Sequence, residues 1–411
     1  EYFLDHGHDY LYVLSNDSGR NFRLYRERCS APGRQEELIP HRAKVMIDDV
    51  EVFDGHIILH ERAEGFPQIS MFNLDKGTSI NIPMTEGVRS ISHGMNLNFA
   101  TKYYQYIYQS YVTPSSTFQY DVTRNKTRLL KQKKIKNSYR SQDYHTEVVK
   151  ARAKDGTMIP ISLVYKKSLR TNNPQNFFLT GYGAYGYSND VYFSAARLSL
   201  LDRGVIFGTA HVRGGGEFGK TWHNQGRMLS KNNTFTDFIA CAEKLFKDRW
   251  TTRHQLVIEG GSAGGLLIGC VVNSRPDICK GAVLQVPFVD IMNTMLNEKL
   301  PLTTGEYEEW GNPTEEIFYK KMLSYSPYDN IGRNFFPAML VQTSLNDSQV
   351  MYWEPAKYVA KMRYFKKPSG TPLLLKTNMT GGHGGASGRY DAIREVAFTF
   401  AFILGVMGLI K

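Results

Sequence analysis

Cysteine is scarce. Four residues in 411, Cys29, Cys241, Cys270 and Cys279, have neither the spacing of a zinc cluster nor the density of a disulfide framework. Reduced, packed thiols are expected, which fits a reducing compartment. Long apolar runs are also missing. The most apolar stretch, 396–410, is shorter than the ~20 residues of a membrane span and is broken by Thr399, Gly405 and Gly408. A buried last helix is the expectation there. No secretory leader opens the chain, which begins Glu1-Tyr2-Phe3-Leu4-Asp5 without Met and reads as cut from something longer. Metal-ligand spacing is absent too. His56 and His60 stand four apart, but Ile57-Ile58-Leu59 between them reads as strand, where such positions lie ~13 Å apart, so no metal is assigned.

What is present points to a globular protein of two domains. A hydrophobic share of 42% excludes disorder, and 411 residues exceed one ordinary domain. Net charge is +11, and much of the excess sits in the tract 124–136, with Lys126, Arg128, Lys131, Lys133 and Lys134 among its cations. It has no interleaved aromatic platform and no recognised reading module, so a solvated strand and linker is expected rather than a nucleic-acid or membrane surface.

Up to about residue 135, short apolar–polar alternations are broken by turn residues, with almost no helical period. Runs 10–14 and 22–25 flank Asn16-Asp17-Ser18-Gly19 as a hairpin. The unit recurs, and Leu24, Ile69 and Phe118 hold comparable places, 45 and 49 residues apart. A four-stranded unit at a ~40–50-residue period marks β-propeller blades. About three fit here, fewer than the ~4 of a closed ring, so a partial propeller is expected.

The pattern changes near residue 140. A hairpin around Asp155-Gly156 is followed by apolar runs at 176–180, 205–210, 256–259, 282–286, 338–342 and 373–376. Helical patterns fall between several of them, at 235–246, 263–273, 354–364 and 392–401. This βαβ rhythm predicts a doubly wound, mostly parallel sheet with reactive groups at strand carboxyl ends. The predicted domains are 1–138, a partial all-β propeller, and 139–411, an α/β-hydrolase domain.

The strand at 256–259 runs into Gly260-Gly261-Ser262-Ala263-Gly264, the Gly-x-Ser-x-Gly elbow of α/β-hydrolases. There the turn lifts Ser262 Oγ off the sheet, and the Ala263 N–H faces a developing oxyanion. The bland alternative is a glycine-rich turn with an idle serine. Two later strand ends lead into Asn346-Asp347-Ser348 and Gly382-His383-Gly384, and the order Ser262, Asp347, His383 is that of a hydrolase triad. His211, His223, Asp290 and Asp329 are rivals in the same half. Position after late strands favours Asp347 and His383 over them.

These stretches, with Gly181-Tyr182-Gly183-Ala184-Tyr185-Gly186, His211-Val212-Arg213-Gly214-Gly215-Gly216-Glu217 and Tyr352-Trp353-Glu354-Pro355, resemble the prolyl oligopeptidase family of serine peptidases, and within it the oligopeptidase B branch. The resemblance covers the hydrolase half and, less sharply, the β-repeat half. It implies Ser262, Asp347 and His383 as the triad, and Tyr182 beside the Ala263 N–H in the oxyanion hole. It implies Glu306 as the residue that holds a basic P1 side chain, with Glu308 assisting and Phe288 lining the pocket. Without it, the cluster Glu306, Glu308 and Glu309 reads as a solvated turn. Asp190 matches an acid that favours a second basic residue, while Tyr192 stands where another acid is expected, against a strong preference for paired basic residues.

The implied activity is cleavage of short peptides after Arg or Lys through an acyl-enzyme, in the cytoplasm, with no cofactor or metal, no nucleic acid and no membrane partner. A prolyl oligopeptidase-like peptidase or esterase of other specificity is the alternative. A non-catalytic scaffold is a second class, suggested by the incomplete propeller. Oligomeric state stays open.

Overall fold

The computed structural model describes residues 1–135 and 139–410. Lys136, the end of the basic tract, and position 138, the predicted domain boundary, lie outside the described residues. The chain divides into two compact units. One comprises Glu1–Gln142 with Asp190–Ser194 and Gly216–Trp222, and the other comprises Asp143–Asn189, Ala195–Gly215 and His223–Lys411.

The first unit holds three antiparallel sheets of four strands each, in simple up-and-down order. The first runs Tyr2–Gly7, Tyr10–Ser15, Arg23–Arg28 and Ala31–Ile39. The second runs Val45–Phe53, His56–Ala63, Phe66–Asn73 and Thr78–Asn81. The third runs Ser90–His93, Tyr103–Gln109, Ser116–Asp121 and Lys126–Gln132. These are the expected blade units, and Leu24, Ile69 and Phe118 each lie on the third strand of their sheet. Alternation places Leu14, Leu24, Ile57 and Leu59 in one apolar cluster and Ile58, Ile69, Tyr104 and Tyr106 in another. The basic tract supplies the outer strand Lys126–Gln132, exposed along its whole length.

The second unit is built on an eight-stranded sheet. Its strands are β1 (Tyr144–Arg152), β2 (Met158–Lys166), β3 (Phe177–Gly181), β4 (Ile206–Ala210), β5 (Leu256–Gly261), β6 (Gly281–Gln285), β7 (Ala338–Ser344) and β8 (Leu373–Asn378). The order is β1-β2-β4-β3-β5-β6-β7-β8. β1 and β2 pair antiparallel, β2 meets β4 antiparallel, and the remaining neighbours are parallel. The parallel centre is made of near-continuous apolar runs, such as Leu256-Val257-Ile258, because helices cover it. The principal helices are α1 (Asn232–Lys247), α2 (Ala263–Ser274), α3 (Trp353–Phe365) and α4 (Arg389–Met407). α2 is apolar all round and buried from Ala263 to Val272, as a helix enclosed by neighbours must be.

One expectation fails. The last helix is not buried as a whole. Of its 19 residues only Thr399, Ile403 and Met407 are buried, while Ile393, Val396 and Phe398 are exposed. Its apolar content exceeds the single stripe by which it meets β5, β6 and β7. The cysteines are free, with Cys241, Cys270 and Cys279 buried and Cys29 exposed. Among the described residues no helix is long and apolar enough to cross a membrane.

Candidate active site

β5 ends in a turn that only this glycine pattern permits. Ser262 has φ +54° and ψ −119°, a backbone region costly for a residue with a Cβ. Its neighbours make room for it. A Cβ on Gly260 would fall inside the Gly264 carbonyl oxygen, and one on Gly264 would lie 2.7 Å from Gly181 O. The turn is held by Ser262 N–H donating to Gln285 O at 2.8 Å and by Phe288 N–H donating to Ser262 O at 3.1 Å. Ala263 opens α2, so its N–H has no acceptor one turn earlier in the helix and is available at the helix N-terminus.

Asp347 follows β7 and His383 follows β8. His383 Nδ1 lies 2.8 Å from Asp347 Oδ2 and 3.0 Å from Oδ1. Asp347 is buried, and its Oδ1 also accepts from Gln349 N–H at 2.9 Å and Val350 N–H at 3.0 Å. Burial alone would raise this carboxyl, but the His383 bond and the two N–H donors outweigh it and hold it below its ordinary value. The glycine loop carrying His383 is pinned by Asn346 N–H to Gly381 O at 3.2 Å and by Ala386 N–H to Glu395 Oε2 at 3.0 Å.

No hydrogen bond joins Ser262 to His383 among the described residues. Ser262 lines a pocket with Phe288 and Glu306, whereas His383 lines a separate cavity with Lys376 and Glu395. Hydrogen bonds of this kind commonly tighten only with substrate bound. The rivals are engaged elsewhere. His211 bonds Ser162 at 2.7 Å, His223 bonds Glu309 at 2.6 Å, Asp290 pairs with Lys357, and Asp329 accepts from Ser326 at 2.6 Å.

Tyr182 lies just beyond the end of β3, packed against the elbow. A Cβ on Gly264 would be 3.3 Å from its ring. Burial, reinforced by Glu306 and Glu309, raises the Tyr182 phenol to about 12, so it stays protonated and can donate at neutral pH.

The pocket beside Ser262 is lined by Tyr185, Phe288, Leu302 and Glu306 among others. Glu306 Oε2 accepts from the Tyr185 hydroxyl at 2.6 Å and from Trp310 Nε1 at 2.8 Å. Trp310 is fully buried, and Phe288 and Tyr185 pack against it at 5.5 and 5.7 Å. Glu308 is not brought into this pocket. It is exposed, and its backbone carbonyl accepts from Arg227. Its neighbour Glu309 turns inward instead, to His223 and, at 3.6 Å, to Lys231. The amine of Lys231 donates to Gly183 O at 2.7 Å and lies 4.7 Å from the Trp310 ring centre. A fully buried lysine thus supports both the Tyr182 loop and the tryptophan that holds Glu306. Sequence reasoning missed Tyr185, Trp310, Lys231 and Glu309. The only available signal was the placement of Tyr185 and Trp310 within glycine-bounded aromatic stretches.

Asp190 belongs to the first unit. Both its oxygens accept from the Arg62 guanidinium, at 2.8 and 2.9 Å, so a substrate cation there has to compete with a bidentate fork. Non-glycine residues with positive φ gather at the site. Ser262, Tyr185 and Leu302, at +54°, +61° and +70°, all line the Glu306 pocket.

Known proteins agree with this architecture. The sequence profile described as "Prolyl oligopeptidase family" matches residues 191–409, and that described as "Prolyl oligopeptidase, N-terminal beta-propeller domain" matches residues 1–133. A protein named dipeptidyl aminopeptidase BI from Pseudoxanthomonas mexicana is 41% identical over 100% of this chain and 57% of its own length. Protease 2 of Moraxella lacunata is 36% identical over 99% of this chain and 59% of its own. The chain therefore spans somewhat more than half the length of these relatives. Oligopeptidase B from Trypanosoma brucei, solved with covalently bound antipain, superposes with a TM-score of 0.95 at 40% identity, over 100% of this chain and 59% of that one. Oligopeptidase B from Leishmania major gives 0.94 at 37% identity, over 100% and 58%. With an elbow serine, a His–Asp pair after the last two strands and a β-bladed N-terminal unit, the chain belongs to the prolyl oligopeptidase family, close to oligopeptidase B.

Proposed function

We propose that this chain carries the machinery of a serine oligopeptidase that cuts short peptides on the carboxyl side of Arg or Lys. The observation that carries the reading is the pocket in which Ser262, Phe288 and Glu306 meet. Its anionic end is fixed by two donors, so Glu306 presents a preorganised acceptor to a guanidinium or ammonium. Phe288 and Trp310 supply the apolar wall for the aliphatic stem of such a side chain.

In this reading, His383 takes the Ser262 proton as Oγ attacks the scissile carbonyl, then gives it to the leaving amine. Asp347 fixes the tautomer with Nδ1 protonated and stabilises the imidazolium. The oxyanion is received by the Ala263 N–H and the Tyr182 hydroxyl. Water, activated by His383, then releases the acyl group. Cytoplasmic action is part of the same reading, resting on family resemblance.

Glu306→Gln is the test. It keeps the shape and removes the charge, so kcat/KM on Arg peptides falls by about 2–5 kcal/mol of binding while neutral esters change little. Equal losses on both sink the assignment. Relatedness to a protein named dipeptidyl aminopeptidase BI favours a second reading, removal of dipeptides from free amino termini. Paired substrates with free and acylated amino termini separate the two. A fluorophosphonate addresses the scaffold alternative, since well-folded protein that resists labelling at Ser262 has no working nucleophile.

A further inference from the structure

His60 finds its partner across sheets rather than along its strand. His56 stays apart, its ring stacked on Phe53 at 5.0 Å. His60, on the second strand of the second sheet, meets His93, which ends the first strand of the third sheet, and Glu51 from the first strand of the second sheet. One nitrogen of each imidazole and one Glu51 oxygen lie within 4.8 Å of one another. We propose that Glu51, His60 and His93 form a binding site for a divalent transition metal of the zinc class, clasping the second and third sheets together.

The donor set, two imidazoles and a carboxylate, is one that zinc takes readily. Zinc bonds of ~2.0–2.1 Å in a tetrahedron put ligand atoms ~3.3 Å apart. Glu51 Oε1 lies 3.7 Å from His60 Nε2 and 2.6 Å from His93 Nδ1, so modest movements reach that spacing. The surroundings are arranged as metal sites arrange theirs. The far nitrogen of His93, Nε2, lies 3.3 Å from Asp49 Oδ2, the carboxylate–imidazole relation that orients a ligating histidine. The second oxygen of Glu51 accepts from Asn96 at 3.5 Å. His60 is buried.

Hydrogen bonds also join these groups to one another. The Tyr104 hydroxyl bonds Glu51 and lies 2.7 Å from His60 Nε2, while the two imidazoles stack at 3.8 Å and 21°. Stacked rings cannot both aim in-plane lone pairs at one ion. Binding therefore requires His93 to tilt out of the stack. Its side chain is 40% exposed, so it is the member able to do so.

The test is Co²⁺ titration of the whole chain in a Cys29→Ser background, which removes the exposed thiol. One equivalent of Co²⁺ gives visible d–d absorption, displaced by Zn²⁺, and Zn²⁺ raises Tm. His93→Ala, a half-exposed position whose fold is checked by circular dichroism, abolishes both effects. Asp49→Asn weakens Co²⁺ binding by about 10–100-fold. Wild-type protein without d–d absorption, or a His93→Ala spectrum matching wild type, overturns the site. Since the readout is binding and stability, loss of the peptidase reading would leave it untouched.

Discussion

His383 Nδ1 and Asp347 Oδ2 are 2.8 Å apart, with the aspartate buried and braced by two further N–H donors. An imidazole so held has its tautomer chosen before any substrate arrives. Asp347→Asn keeps the shape and reverses that choice, so kcat falls by roughly 10⁴-fold. Steady-state kinetics on an Arg ester measure it, and a loss below tenfold would mean that Asp347 does not orient the base. The same pair makes a pH prediction. The folded carboxyl sits below its unfolded value, so its contribution is complete above about pH 4 and is lost as pH falls further. In acid titrations followed by circular dichroism, the wild-type advantage over Asp347→Asn shrinks in that range.

Tyr185 gives Glu306 one of its two donors. Tyr185→Phe leaves the ring against Trp310 and removes only the hydroxyl. A hydrogen bond to a charged group is worth about 1.5–3 kcal/mol, and partial exposure of Tyr185 puts the effect at the lower end. KM for Arg peptides rises several-fold while kcat on neutral esters stays level. An unchanged KM would show that Trp310 alone holds the carboxylate.

Lys231 is fully buried, and desolvation lowers its amine to about 8. Between about pH 8 and the unfolded value near 10.4, the unfolded chain binds more protons than the folded one, so stability rises with pH. Lys231→Met removes this group. Denaturant titrations at pH 7 and pH 9.5 therefore show the wild type gaining on the variant at the higher pH. A constant difference would contradict the placement of this amine.

Asp190 and Arg62 test whether an acid matched by resemblance acts on substrate or on structure. Arg62 is buried, and removing its bidentate partner leaves a guanidinium whose remaining ion pair, with Asp48, is longer at 3.5 Å. Asp190→Asn lowers stability by about 1–3 kcal/mol, seen as a drop in Tm. The alternative outcome is unchanged Tm with altered preference at the residue before P1.

Gly265 backs onto Pro287, close enough that a Cβ would overlap the ring. Gly265→Ala forces α2 away from the loop that follows β6 and costs about 1–3 kcal/mol, read in urea unfolding.

Much of this was legible in the chain because it is local. The Gly-x-Ser-x-Gly elbow is five consecutive residues, and the blade period shows in the spacing of Leu24, Ile69 and Phe118. Strand ends preceding Asp347 and His383 follow from apolar runs bounded by turn residues. What stayed hidden is contact at long separation. Tyr185 and Glu306 are 121 residues apart, and His223 and Glu309 are 86 apart, so no window of sequence holds both partners. The sequence offers His56 as the partner of His60, whereas space pairs it with His93. The last helix erred differently. Composition shows that Ile393 and Phe398 are apolar, not that a neighbour covers them.

Trp310 ties the proposed selectivity to architecture. Its indole N–H ends on Glu306 while its face shelters the charge of Lys231. A lineage drifting toward uncharged substrates cannot simply discard the carboxylate, because a buried indole donor would be stranded and the lysine platform loosened with it. The proposed preference for cations is thereby hard to erase by single steps, since changing it means inventing a replacement acceptor first.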